Sequence, residues 1–393
     1  MMKPLIIAGC CLALSACALV DDQSGQKAPQ GQWKVASIAD DQASRGNSLS
    51  ILGDRSLAVI GQGREASFVL KRNPVGVVEW RKKADRSQNN FYASHYTQSG
   101  ALIVAGDYPS IENGAQQAYA MSLNVAGEVN WQSQFYSADD MAVLTIDETS
   151  EGDLILAGVL NPVDSSDEFD AMADSFVLRV SPEGDILWQR SIRLAQDDQI
   201  EDVLALPDGN ILALINHRDE NEQSLGVHLV QLDIHGNVNY DERLLATGFS
   251  DAAAMTLSSD KQSVWIVGSY ADKKGQRNQH QMALLQVSSD AEVQKYFVDR
   301  GSLDAAPSDI AALADGSIAV VGTGQQENTL EDLNVLYIHF DAVGEVIERK
   351  VFGDGGVNFA DAIQVLNDGT VQVLATFNAT EDPEITLISR SGA

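Results

Sequence analysis

Residues 208–240 read DGNILALINHRDENEQSLGVHLVQLDIHGNVNY. The pair Asp208-Gly209 opens an apolar run, Ile211-Leu212-Ala213-Leu214-Ile215. A polar stretch follows. A second apolar run then ends in Leu232-Asp233-Ile234-His235-Gly236-Asn237 and leads to Tyr240. Asp-Gly between apolar runs is a hairpin signal, because glycine enters a positive φ without steric cost. Short apolar runs bounded by turn residues, with no helical spacing of apolar positions, read as strands.

The same pattern recurs along the chain. Trp33, Trp80, Trp131 and Trp188 stand 47, 51 and 57 residues apart, and Tyr240 follows after 52. Each of the last four lies four residues after a glycine: Gly76, Gly127, Gly184 and Gly236. Lys295 and Glu348 take the corresponding places further on. A short apolar strand, usually closed by glycine, occurs seven times, as in Leu102–Gly106, Leu154–Gly158, Val264–Gly268 and Ile318–Gly322. Asp208-Gly209, Asp315-Gly316 and Asp368-Gly369 introduce three of the copies. A third strand then precedes the Trp-bearing one, so each unit is four short antiparallel strands.

A four-strand unit repeated seven times reads as an all-β fold, a seven-bladed β-propeller of four-stranded antiparallel blades. The phase of the repeat adds a further expectation. The first strand, at Trp33–Ile38, is of the Trp type, and the chain ends after a third strand at Ile385–Ile388. The N-terminal strand is therefore expected to close the last blade. The recurring Trp residues are expected to pack between blades.

The N-terminus carries Met-Met-Lys, an apolar run from Leu5 to Leu14, and then Leu14-Ser15-Ala16-Cys17. A short positive region, a short apolar core and small residues before a cut site are the pattern of a secretory signal. Residues 1–16 are expected to be that signal, 17–31 a modified Cys17 with a flexible polar tether, and 32–393 a single propeller domain. Extended, residues 18–31 reach at most about 46–50 Å.

Composition narrows the partners. The 393 residues include 26 Lys and Arg against 56 Asp and Glu, a net charge of −30. Binding to nucleic acid is disfavoured by that sign. The three cysteines all fall within the first 17 residues, which excludes a disulfide framework or a Cys-based metal cluster in the body.

The repeat resembles that of the secreted bacterial β-propellers: Asp-Gly, apolar strand, Gly, variable loop, apolar strand, Asn/Asp-x-x-Gly, then Trp. The Leu-Ser-Ala-Cys ending resembles the bacterial lipoprotein box, which implies acylation of Cys17 and cleavage before it. Ala18 rather than Asp after that cysteine implies the outer membrane, on its periplasmic side or at the cell surface. More distantly, the anchor and propeller together look like the BamB type of envelope scaffold, which differs in having eight blades. These resemblances imply a monomeric, non-catalytic scaffold held in the bilayer through Cys17 and binding an envelope protein.

Two groups of carboxylates are candidate sites. Long loops between second and third strands carry Asp164, Asp167, Glu168 and Asp170, then Asp219 and Glu220, then Glu331 and Asp332, a candidate acidic partner-binding face. Long loops on a rigid scaffold are where binding usually resides. Asp140, Asp202, Asp251, Asp309 and Asp361 stand near the start of the inner strands and are candidates for the mouth of the propeller channel. Two readings of these five stay open here. Converging carboxylates suit Ca²⁺, which takes six to eight oxygens; equally, Asp accepts backbone N–H bonds in turns. No cofactor is expected apart from Ca²⁺ on the first reading. That reading carries the alternative function, a cation-dependent propeller enzyme of the lactonase or glycan-processing type; a ligand-binding or adhesion role is the other alternative. Neither His-x-x-x-His nor a Gly-x-Ser-x-Gly elbow occurs among the residues.

Overall fold

A computed structural model describes residues 32–38, 44–84, 89–110, 115–137, 139–161, 174–194, 197–218, 224–271, 280–299, 301, 303–326, 332–353 and 355–392. Among the described residues there are 28 strands and no helix. They form seven four-stranded antiparallel sheets, the blades of a seven-bladed β-propeller. We number the blades 1 to 7 by their first strands: Ser44–Ile51, Asn90–Tyr96, Asp140–Glu148, Asp197–Ala205, Phe249–Leu257, Leu303–Ala312 and Phe359–Val365. In every blade but the last, four consecutive strands pair in chain order.

The described chain divides into two compact units. One comprises Asn47–Leu245 and Ser250–Ala252; the other comprises Ala246–Phe249, Ala253–Ala393 and the part of the chain up to Gly46. In the first unit, cores lie between successive blades. Leu156, Phe176 and Leu178 of blade 3 pack with Ala118, Ala120 and Phe135 of blade 2, all fully or almost fully buried. Ile155, Ala157 and Val177 on the other face of blade 3 pack with Ile211, Ala213 and Ile215 of blade 4. A strand buried on both faces needs apolar side chains at successive positions, which is why the second strands read as continuous apolar runs rather than alternating ones.

In the second unit, the strand Trp33–Ser37 completes blade 7. It pairs antiparallel with Glu384–Arg390, from Trp33 opposite Arg390 to Ser37 opposite Thr386. The expected closure of the last blade by the N-terminal strand is thus observed. The Trp33 ring packs edge-on to Tyr337 at 4.8 Å between centroids and tilts over Phe352 at 5.0 Å. Its Nε1 donates to Glu348 Oε1 at 2.9 Å. Glu348 Oε2 lies 2.8 Å from Arg390 Nε; Arg390 is buried and the Glu348 side chain nearly so.

The recurring Gly and Trp have one physical cause. The turn between third and fourth strands is a five-residue loop. In blade 2, Asn124 N donates to Glu128 O and Gly127 N donates back to Asn124 O, both at 2.9 Å. Gly127 has φ +79°, a conformation that favours glycine. Its bare Cα also makes room for the ring of Trp80 from blade 1, which would lie 2.8 Å from an added Cβ. The indole N–H of Trp80 donates to Val125 O at 3.1 Å. Trp131 repeats this on Gly184 and Pro182 O, at 2.8 Å, and Trp188 on Gly236 and Ile234 O, at 2.9 Å. Each of these three tryptophans therefore fastens its blade to the turn of the next, as expected for interblade packing residues.

The glycine inside the second strand has a different cause. The first strands of blades 2, 3, 4, 6 and 7 carry a β-bulge, with register shifts at Phe91/Ala93, Val143/Thr145, Ile200/Asp202, Pro307/Asp309 and Ala360/Ala362; Gly106, Gly158 and Gly322 stand opposite three of them, Ile215 and Ala375 opposite the other two. A Cβ on Gly106, Gly158 or Gly322 would fall 1.9, 1.8 or 2.2 Å from the carbonyl oxygen of Asn90, Ala142 or Ala306. Bulges bend a strand and re-aim a side chain. Tyr92, Leu144, Glu201, Ser308 and Asp361 are the residues so displaced.

Candidate functional site

The five inner-strand aspartates stand at different register positions. Asp140 begins its strand, opposite Asn161, and its Oδ1 accepts the backbone N–H of Gln116 from the previous blade at 2.6 Å. Asp202 and Asp309 lie in mid-strand, each immediately after the bulge, rather than near the strand start. Asp202 Oδ1 accepts from Thr145 Oγ1 of blade 3 and from Val203 N, both at 2.8 Å. Asp309 Oδ1 accepts from Ile310 N and its Oδ2 from Ile363 N of blade 7, again at 2.8 Å. Asp361 is itself a bulge residue, and Thr376 Oγ1 donates to its Oδ2 at 2.7 Å. Asp251 Oδ1 lies 3.2 Å from Arg218 Nη2. Among the described residues, no three His, Cys, Asp or Glu side chains come together as a metal-ligating group.

Burial alters the chemistry of two bulge carboxyls. Desolvation pushes Asp361 up to about 8, against the lowering effect of the Thr376 hydrogen bond and of Arg45. Desolvation likewise pushes Glu201 up to about 7, with Asp251 and Asp202 adding repulsion and Asn216 and Arg218 opposing it. Asn216 Nδ2 donates to Glu201 Oε1 at 2.8 Å and to Ala252 O of the next blade at 2.9 Å, while its Oδ1 accepts from Ala252 N at 2.8 Å. In blade 2, Asp107 is raised to about 6, first by burial, with Asp140 adding to the rise. Asn90 Nδ2 and Tyr92 Oη donate to its two oxygens at 2.7 and 3.2 Å. Glu201 and Asp107 were not among the sequence candidates, and the depth of Glu201 and Asp361 follows from the bulge.

Of the acidic loop candidates, Asp164, Asp167, Glu168, Asp170, Asp219, Glu220 and Glu331 lie outside the described residues, as does Cys17. Asp332 is half-buried, and its Oδ1 accepts from Asn334 Nδ2 at 2.9 Å. His217 belongs to the second strand of blade 4, Ile211–Arg218.

That placement creates a line of four side chains across one face of blade 4, one from each strand. Asp198 stands directly opposite His217, and its Oδ1 lies 2.6 Å from His217 Nδ1. The His217 and His228 rings are 5.8 Å apart between centroids, at 71°. His228 Nδ1 in turn lies 2.7 Å from Asp241 Oδ1. Asp198 Oδ2 also accepts the Leu194 N–H at 2.5 Å, and Ser175 Oγ of blade 3 donates to the Asp198 backbone carbonyl at 2.7 Å. Sequence spacing conceals the group, because its members meet only through strand register. His339, on the third strand of blade 6, is buried, with Nε2 2.8 Å from Ser317 Oγ. Burial holds it below the usual histidine range.

No protein-family model and no curated protein matches the chain in sequence. Solved structures are similar in fold. A catalytically inactive virginiamycin B lyase from Staphylococcus aureus with quinupristin has a TM-score of 0.56 at 12% identity, over 91% of this chain and 99% of that one. Hydrazine synthase of Kuenenia stuttgartiensis has a TM-score of 0.57 at 11% identity, over 85% and 93%. An α-L-arabinanase from Penicillium chrysogenum with arabinobiose has a TM-score of 0.51 at 14% identity, over 76% and 92%. At such identities the likeness extends to the propeller fold, a scaffold that hosts unrelated functions.

Proposed function

We propose that this chain is a non-catalytic interaction scaffold of the bacterial cell envelope, held in the outer membrane through acylated Cys17 and binding a protein partner on its acidic loop face. The observation that carries this reading is the engagement of the inner-strand carboxylates. Asp140, Asp202, Asp309 and Asp361 accept hydrogen bonds from the propeller's own backbone or hydroxyl groups, and Asp251 pairs with Arg218. Asp140, Asp202, Asp251 and Asp309 thereby join neighbouring blades, and Asp361 bonds within blade 7. The function then falls to the outer surface, where the strong negative charge sets encounter rate and partner choice.

The Leu-Ser-Ala-Cys sequence supports the anchor, and the polar residues after Cys17 supply the reach to stand off a bilayer. The test is site-specific photo-crosslinking in intact cells from Asp332 and Glu381, beside the long loops, compared with Glu183 and Asp341 in the tight turns. The expected result is one discrete protein adduct from the loop positions alone. It should disappear on neutralising Asp164, Asp167, Glu168 and Asp170, and the Cys17→Ser protein should leave the membrane fraction. Equal labelling from both ends, or membrane retention of Cys17→Ser, overturns the reading.

A further inference from the structure

We propose that His217 and His228 form a binding site for a divalent transition-metal ion of the zinc and copper class, ligated through Nε2 of both rings. A carboxylate accepts hydrogen bonds and donates none, so Nδ1 of each ring carries the proton in the bonds to Asp198 and Asp241. In a neutral imidazole the other nitrogen, Nε2, then bears a free lone pair. Metal-ligating histidines nearly always donate their second ring N–H to a carboxylate, carbonyl or water, which fixes the tautomer and raises ligand basicity. Here both rings have that support before any metal is considered.

The geometry and the surroundings fit. His217 and His228 lie on adjacent strands of blade 4, where Ile215 pairs with His228 and His217 with Gly226. Both therefore face the same side of the sheet, and their centroids are 5.8 Å apart. Two imidazoles ligating one ion through Nε2, with metal–nitrogen bonds of about 2.0–2.1 Å, require a separation of about this size. The Asp198 and His217 side chains are almost fully buried, whereas His228 and Asp241 reach partial exposure, so the group runs from the interior to solvent.

The charges nearby are Asp174 and Arg193 from blade 3, which pair with each other, and Arg243, which lies against Gly226. Three carboxylates, Asp174, Asp198 and Asp241, thus stand against two guanidinium groups. With two protein ligands the ion keeps open positions for water, unlike a closed four-ligand structural site. Imidazole nitrogen suits Zn²⁺, Cu²⁺ and Ni²⁺ and not Ca²⁺, so this site is chemically distinct from an all-oxygen one.

The test loads the full-length protein with one equivalent of Cu²⁺, records its frozen-solution electron paramagnetic resonance spectrum, and measures Zn²⁺ affinity by calorimetry. The expected spectrum shows splitting from two imidazole nitrogens. His228→Gln, at the partly exposed end, should reduce this to one nitrogen and weaken Zn²⁺ binding at least about tenfold, with its melting temperature confirming the fold. Asp241→Asn, which removes only the support of His228, should weaken binding about tenfold. His235→Ala, in an exposed turn, should change neither readout. Absence of nitrogen splitting, or unchanged affinity in both His217→Ala and His228→Gln, overturns the proposal.

Discussion

Lys295 donates from Nζ to the carbonyl oxygen of Ala342 at 3.2 Å, across from blade 5 to the turn of blade 6. In the first three blades an indole N–H makes the same bond, to Val125, Pro182 and Ile234. Blade 5 has no tryptophan at this place and divides its work. Lys295 supplies the donor, and the ring of Phe297 lies on Gly344, 2.2 Å from where a Cβ would stand. The degraded repeat at Lys295 therefore keeps the joint while losing the residue that marks it.

This division predicts unequal losses. Trp131→Ala removes both ring and donor and should lower unfolding free energy by about 3 kcal/mol. Phe297→Ala removes the ring alone and should cost about 2 kcal/mol. Lys295→Ala removes an exposed, solvated bond and should cost less than about 1 kcal/mol. Urea unfolding of the three variants checks the order; equal losses for Lys295→Ala and Trp131→Ala contradict it.

Glycine substitutions separate close approach from backbone conformation. An added Cβ at Gly158 falls 1.8 Å from Ala142 O, with no positive φ involved. Gly355 has φ +89° and nothing within 4 Å of that point. Gly158→Ala should cost about 3 kcal/mol, since the bulged strand must move, and Gly355→Ala about 1 kcal/mol, the cost of the left-handed conformation alone. Denaturant midpoints of the two variants make the comparison.

The closure of blade 7 rests on Glu348, which receives the Trp33 indole N–H and pairs with Arg390. Glu348→Ala leaves a buried guanidinium without its counter-ion and should cost about 3–5 kcal/mol. Amide exchange in Trp33–Ser37 should speed up ahead of the other strands. A variant with normal stability and unchanged exchange in that strand contradicts this role.

The raised carboxyls set a direction for pH. Asp361 keeps its proton in the folded chain up to about 8, whereas an ordinary Asp gives it up near 3.8. Between those values the folded state binds more protons than the unfolded state, so this group's contribution falls as pH rises through the window and is complete below it. Asp361→Asn cannot ionise. Its melting temperature relative to the parent should therefore climb from pH 4 to pH 8, and Glu201→Gln should do the same up to about pH 7. Melting curves that stay parallel across that range contradict the assignment.

The blade count and the closing strand were legible because each rests on a local signal repeated many times. Asp-Gly turns, apolar second strands and the Gly-to-Trp interval need only short stretches of chain. The site residues were less legible. Asp202 and Asp309 look like strand-start residues in the sequence; the structure moves them to mid-strand, after a bulge whose mark in residue type, a glycine on the facing strand, stands opposite the bulge before Asp309 and is replaced by Ile215 opposite the one before Asp202. His217 and Asp198 are 19 residues apart and His228 and Asp241 are 13 apart, separations without meaning until the register of four strands is known. Neither bulge nor register follows from composition, since both depend on pairing between distant segments.

The central claim is that the inner-strand aspartates are joints of the propeller and that function lies on its surface. Its most direct test is the melting temperature of the protein in chelator and then in millimolar Ca²⁺ or Mg²⁺. An ion at 100 times its dissociation constant stabilises by about 2.7 kcal/mol, a shift that thermal melting resolves. The account predicts no specific shift with either ion, and lower stability for Asp202→Asn and Asp309→Asn whether or not the ion is present. A large Ca²⁺-dependent rise, abolished by those two substitutions, contradicts it and makes the aspartates a cation site.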